Sequence, residues 1–406
     1  MTKIIESGGP SQEVEVAFTT PRVEFNGELL FLLAGLAALG ALATNIILPA
    51  FPEMAVDLGA SVKDLSATLS SFFVAFALGQ LFVGPLSDRF GRKWLVLGGL
   101  IAFVAGSAVC AMATTLPQLI SGRIIQALGA CATAVLSRAI ARDLFDGDKL
   151  ARALSLIMVA MAAAPGFSPL LGGAFNSLFG WRATFGFVGI LAIVLAAHYI
   201  ARLGETHNAD NRSAQSIPAI LAGYKRLLLN RRFFAPALSV SLVIGTLYAF
   251  FSMAPAILMA GFGLSSLELG LFFAATVFVV FASGLLAPRL ARRWGQVSVA
   301  HVGIVIALVG SLALLIGKED FLFFSVSLTV FLLGMGLVNP LGTAIALHPF
   351  GNQAGAASAL LGFLQMGCAA VAVTFGGGLD LSAYTSLGII SAVGLTVSFL
   401  VFFAVE

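Results

Sequence analysis

Arg123 is the residue in this chain whose position most needs a chemical reason. It lies six residues past Pro117 inside the apolar run 117–140. A guanidinium stays charged, and in apolar surroundings it is costly unless it faces water, a partner or a bound group. One reading has Arg123 in a central cavity, coupling or binding a ligand; the other has it snorkelling to nearby headgroups. A second concentration of charge is Gly84 to Trp94, "GPLSDRFGRKW". Its Asp88 carboxylate can accept from the free N–H groups at another helix's start or from an arginine. Gly84 and Gly91 permit a tight turn and close helix approach. A third is Ala164 to Gly173, "APGFSPLLGG", in which Pro165 and Pro169 interrupt the backbone ladder and Gly172 and Gly173 allow close packing. No phosphate-binding Gly-x-x-x-x-Gly-Lys-Ser/Thr loop and no Ser/His/Asp set sharing one site is present, and His198, His301 and His348 lack a metal-ligand spacing. No catalytic residue, metal or cofactor is therefore predicted, and the chain is not expected to be an enzyme.

The elements that must position these residues follow from composition. The 406 residues are 59% hydrophobic and only 10% charged, with a mean hydropathy of +1.02, whereas soluble domains carry about 25% charged residues. An integral membrane protein is the consequence. A spanning helix needs about 20 apolar residues, and runs of that length recur near 29–50, 66–86, 94–112, 117–140, 152–175, 183–203, 233–257, 268–288, 297–317, 321–343, 352–376 and 383–404. They are continuously apolar, which excludes the alternating strands of a barrel. The fold class is thus all-α, with twelve transmembrane helices. Cys110, Cys131 and Cys368 all fall within these runs and read as small packing residues.

Charge sets the topology. With the N-terminus inside, 18 of the 22 lysines and arginines fall in cytoplasmic segments, and only Lys63, Arg182 and Lys318 lie outside. Both termini are predicted to be cytoplasmic. Retention at the inner leaflet accounts for the basic residues without a nucleic acid partner. Residues 1–28 read as a cytoplasmic leader, 29–203 as a first six-helix half, 204–232 as a cytoplasmic linker and 233–406 as a second half. Within the linker, 216–229 can form an amphipathic helix on the membrane surface. At an offset of 200 residues "GPLSDRFGRKW" meets Gly284 to Trp294, "GLLAPRLARRW", with Gly284, Leu286, Arg289, Arg292 and Trp294 matching. Pro288 stands where the first copy has Asp88, so two related halves are expected, with the acid in one only.

Twelve helices as six plus six, with G-x-L-S-D-R-x-G-R-K between helices 2 and 3, resemble the major facilitator superfamily of secondary transporters. Arg123-Ile-Ile-Gln-Ala-Leu-Gly129 is similar to its helix 4 motif, and Ala164 to Gly173 to the helix 5 motif of its antiporters. Within it, "LPAFPEMAVDL" (48–58), the proline-bearing helix 5 and "GWRATF" (180–185) most resemble the Bcr/CflA group of bacterial drug:proton antiporters.

The resemblance implies a bacterial inner-membrane exporter of a drug-like or metabolite molecule, coupled to the proton gradient and working by alternating access, with membrane lipid around it. A monomer is expected. An importer or facilitator of a small solute, anionic ones included, without proton coupling is the alternative. It further implies that Gly84, Asp88, Arg89, Gly91 and Arg92 form a conformational latch, Asp88 meeting helix 11 across the halves. Pro165, Pro169, Gly172 and Gly173 would pack helix 5 on helix 8. Helices 1, 4, 7 and 10 would line the cavity, with Asn45, Arg123, Gln126, Tyr248 and Asn339 as the substrate-binding or coupling set and Phe72, Phe76, Met161, Phe251, Met253 and Gln365 as further wall residues. Many relatives carry an acid in helix 1 before the proline, where this sequence has Asn45-Ile-Ile-Leu-Pro49. An amide cannot titrate. Either another carboxylate carries the proton, with Glu28, Glu53 and Asp380 as candidates, or Arg123 meets an anionic substrate group, or Asn45 is itself a substitution.

Overall fold

Backbone polar groups in hydrocarbon must be satisfied within their own segment, so each apolar run becomes a helix. A computed structural model describes residues 26–207, 212 and 216–403. Most of the expected leader, part of the linker and the last three residues lie outside the described residues. The helices are α1 Gly27–Asn45, α2 Phe51–Asp57, α3 Ser66–Phe90, α4 Arg92–Ala111, α5 Leu116–Leu144, α6 Gly147–Phe179, α7 Trp181–Arg202, α8 Ile217–Leu229, α9 Arg231–Ala254, α10 Ser266–Trp294, α11 Gln296–Ile316, α12 Phe321–Leu347, α13 Ala354–Gly378 and α14 Ala383–Phe403. Twelve stretches of the described residues are long and apolar enough to cross a membrane. The first joins α1 and α2 through a short 3-10 turn at Leu48–Ala50, where Pro49 cannot donate to the ladder. The seventh ends in a wider turn at Pro255–Gly261.

Close approach between neighbouring helices rests on glycine. A side chain at Gly129 of α5 would strike the backbone of Gly99 and Phe103 on α4, and one at Gly106 would strike Gln126. The same seam recurs between α11 and α12, where Gly334 faces Gly303 and Ala307, and Gly310 faces Phe331. These equivalent positions lie 204 or 205 residues apart, not 200. The helix ends agree: α3 stops at Gly91 with φ +92° and α10 at Gly295 with φ +85°. The second basic stretch is therefore displaced by about one helical turn. Arg292 and Arg293 close α10, whereas Arg92 and Lys93 open α4.

Two long seams join elements of the first six spans to the last six, α3 along α13 and α6 along α10. The α3–α13 seam separates at one end. We call that end the basic face, because Arg89, Arg92, Arg142 and Arg226 lie there. At the opposite face Lys63 Nζ donates to the carbonyls of Leu379 and Leu381 at 3.2 and 2.8 Å, just past the C-terminus of α13. A cation there also complements the helix dipole. Ser266 Oγ donates to Pro49 O at 3.2 Å, and Gly173 presses on the Ser266 backbone. Midway, Gly362 of α13 sits against the Gln80 amide of α3, but nothing lies within reach of Gly84 one turn on. Beyond that point a cavity of about 720 Å³ opens to the basic face.

The helix α8 closes one side of this cavity. Pro85 has no N–H, so within α3 the carbonyl of Leu81 loses its partner. Tyr224 of α8 supplies one, its hydroxyl donating to Leu81 O at 2.9 Å. Burial, then the Asp88 charge, pushes the Tyr224 hydroxyl up to about 12, so it remains a donor at any physiological pH. Tyr224→Phe is expected to lower stability by about 1 kcal/mol and to speed protease cleavage in the 204–216 linker. Unchanged cleavage would mean that α8 is held by other contacts.

Candidate functional site

The basic loop is organised around Arg92. Its Nε donates to Asp143 Oδ2 at 3.0 Å, and its Nη1 reaches both Asp88 and Ser87. Arg92 is 6% exposed and Asp143 is also largely covered, so that bond is worth more than a surface pair, whereas Asp88 is half exposed. Glu205, just past α7, caps the start of α4: its carboxylate accepts from the backbone N–H of Arg92 at 2.8 Å and of Lys93 at 3.3 Å. Burial raises its pKa, but those N–H groups, that of His207 and the Arg212 charge outweigh this and hold it below the usual carboxylate range. The cap therefore persists down to moderately acid pH and is lost only below it. Gly91 is required twice over, by its positive φ and because the Glu205 carboxylate occupies the place of a side chain. Arg89 is exposed and lies over the Phe90 ring, 5.4 Å from its centroid. Asp88 and the first turn of α13 line the same cavity from opposite sides.

Arg123 is fully buried, so it does not snorkel to the membrane surface. Its Nη1 donates to Ala43 O at 3.1 Å and to Gln126 Oε1, and its guanidinium lies 4.4 Å from the Phe72 ring centre. Gln126 Nε2 passes the chain on to Ser107 Oγ at 2.8 Å. The Nε and Nη2 groups of Arg123 have no hydrogen-bond partner among the described residues. Buried unsatisfied donors are rare and call for an explanation. Asn45 lies two residues past Ala43 on α1, and its side chain folds back on its own helix, its Nδ2 donating to Ala41 O at 2.8 Å and Thr44 Oγ1 at 3.1 Å. No aspartate or glutamate is buried among the described residues.

The remaining members of the expected set are dispersed. Tyr248 of α9 packs on Phe73 and Phe251 at ring separations of 4.6 and 5.8 Å. Asn339 of α12 is partly buried, with no hydrogen-bond partner among the described residues. None of Asn45, Arg123, Gln126, Tyr248 and Asn339 lines the cavity at the basic face. The helix α6 runs unbroken through Pro165 and Pro169. Side chains at Gly172 and Gly173 would strike the carbonyls of Ile46 and Ser266, and one at Gly270 of α10 would strike Leu170. Sequence reasoning missed Glu205, Tyr224 and Asp143; an acid two residues past a span and a tyrosine on the polar side of α8 were the available signals.

Comparisons with known proteins bear on this architecture. The profile of the Major Facilitator Superfamily matches residues 33–373. An uncharacterized MFS-type transporter, YdgK of Bacillus subtilis (strain 168), is 32% identical over 83% of this chain and 85% of its own. Multidrug resistance protein D of Escherichia coli (strain K12) is 28% identical over 90% and 92%, and a chloramphenicol resistance protein of Pseudomonas aeruginosa is 30% identical over 82% and 79%. Among solved structures, a bacterial homolog of the human lysosomal transporter Spinster, inward-facing and unoccupied, aligns with a TM-score of 0.73 at 16% identity, covering 94% of this chain and 97% of that one. Twelve membrane-spanning helices, the paired seams and a profile match over most of the length agree: this chain belongs to the Major Facilitator Superfamily.

Proposed function

We propose that the chain exports a drug-like or metabolite small molecule across the bacterial inner membrane by alternating access, coupled to the proton gradient, with the basic face and both termini in the cytoplasm. The observation that carries this is the asymmetry of the seams. Both are tight at the opposite face and the α3–α13 seam is parted at the basic face, as in one of the two states such a cycle requires. The printed names of the relatives, multidrug and chloramphenicol resistance proteins, support the substrate class. In the alternate state the cavity closes, and Asp88 comes to the first N–H groups of α13 as the latch. In cells lacking their own exporters, expression is expected to raise the inhibitory concentration of at least one antibiotic several-fold, and collapsing the proton gradient in everted vesicles should stop uptake. Protection against no compound would defeat this reading.

A second reading, an importer or facilitator without proton coupling, is favoured by the absence of a buried carboxylate among the described residues. The same vesicles separate the two. Asn45→Asp is expected to increase proton-driven uptake if this position belongs to the coupling path, and unchanged coupling removes it.

A further inference from the structure

The cavity between α3, α5, α8 and α13 carries more positive charge than its neighbours neutralise. Four arginines line it, Arg92, Arg138, Arg142 and Arg226, against two carboxylates, Asp88 and Asp143. Both carboxylates pair with Arg92, and Asp143 Oδ2 also accepts from Thr206 Oγ1 at 3.1 Å. Arg138 and Arg142 are one turn apart on α5, so two like charges share a wall. Arg226 borders the cavity from α8, its Nε donating only to the Ala222 carbonyl of its own helix, at 3.4 Å. Among the described residues no carboxylate is within ion-pairing distance of these three. Topology explains basic residues in loops, where water solvates them. It does not explain Arg138, which is partly buried, six residues before the end of α5. A partly buried cation without a counter-ion favours an anion beside it.

We propose that this cavity is a binding site for an amphiphilic organic anion, its phosphate, sulfonate or carboxylate head between Arg138 and Arg142 and its apolar body against Val135 and Ile220. The volume, about 720 Å³, suits one drug-sized molecule. The site deepens the export reading, on which it rests only for its role as the first stop of a substrate leaving the cytoplasm. A soluble anion and an anionic lipid headgroup share the required chemistry.

The test uses the purified full chain in neutral detergent and isothermal titration with phenyl phosphate and phenyltrimethylammonium, which present one ring with opposite charges. Phenyl phosphate is expected to bind at least about tenfold more tightly, and the Arg138→Gln, Arg142→Gln double variant to lose that preference. Should that variant fail to fold, Arg226→Gln, on an exposed side chain, is expected to weaken phenyl phosphate binding several-fold. Equal affinity for the two probes, or a preference untouched by these substitutions, overturns the proposal. Nanodiscs of phosphatidylglycerol and of phosphatidylcholine then assign the occupant. Weaker phenyl phosphate binding in the anionic bilayer identifies a lipid headgroup, and equal binding in both a soluble anion; either keeps the site. Binding is read without transport, so a failed export assay leaves this site standing, and lost binding leaves export to its own measurement.

Discussion

Arg123→Met is expected to reduce the initial transport rate by about 100-fold while leaving the protein folded and inserted. Two nitrogens of this buried guanidinium, Nε and Nη2, are without hydrogen-bond partners among the described residues. A hydrogen bond to a charged donor is worth about 1.5–3 kcal/mol, so two such bonds to a passing ligand or coupling group account for about 3 kcal/mol, or roughly 100-fold. Stability should move little, because replacing a buried charge by an apolar side chain of similar volume is often neutral or stabilising. Gln126 keeps its bond to Ser107 in the variant. Arg123→Lys is not expected to rescue, since an ammonium lacks the planar fork that reaches Ala43, Gln126 and a third group together. The measurement is transport in vesicles beside the thermal unfolding midpoint. A Met variant that transports like the parent would remove Arg123 from the mechanism.

Gly173→Val is expected to hold the molecule away from the state described here. The added carbon would lie 2.7 Å from the Ser266 carbonyl oxygen, a backbone atom that cannot rotate aside. Overpacking of this kind costs about 1–3 kcal/mol. Because Gly173 and Ser266 belong to spans in different halves of the sequence, the cost falls on the state in which the opposite face is closed. A shift of about 2 kcal/mol changes a two-state ratio roughly 30-fold. Transport should fall at least about tenfold by that count, with normal amounts in the membrane. A disulfide between cysteines at 66 and 377, neighbours across the other seam, should form more slowly. Gly172→Val differs: its added carbon meets the Ile46 carbonyl within the first six spans, so the expected loss is of folded protein. Should both variants fail in the same way, the α6–α10 seam is structural rather than conformational.

The spans were legible because hydropathy measures a bilayer's thickness, and every apolar run in the sequence became a helix. Their ends were not, since a helix continues past the hydrocarbon wherever caps allow; α6 reaches from Gly147 to Phe179, well beyond 152–175. The register of the repeat was misjudged by about one turn because arginines that hold topology can sit on either side of a helix end, while the glycines that fix helix contact cannot move. Arg123 declared itself as a charge in an apolar run. The setting of Arg138 was hidden, because a count of basic residues assigned it to the cytoplasmic side without showing that a cavity wall surrounds it. Tyr224 is legible only once α8 lies beside Pro85, a contact between residues far apart in sequence.

Arg123 has a further consequence, in the energetics of the membrane's electric field. With no buried carboxylate beside it among the described residues, the core holds a fixed positive charge, and a monovalent anion seated on it makes a neutral pair. One elementary charge crossing a potential of 100 mV changes in energy by about 2.3 kcal/mol, roughly fiftyfold in concentration. An anion leaving an interior-negative cell gains that factor before any proton moves, and a lipophilic cation faces it as a barrier. For an anionic cargo the voltage would then add to the proton gradient in driving export.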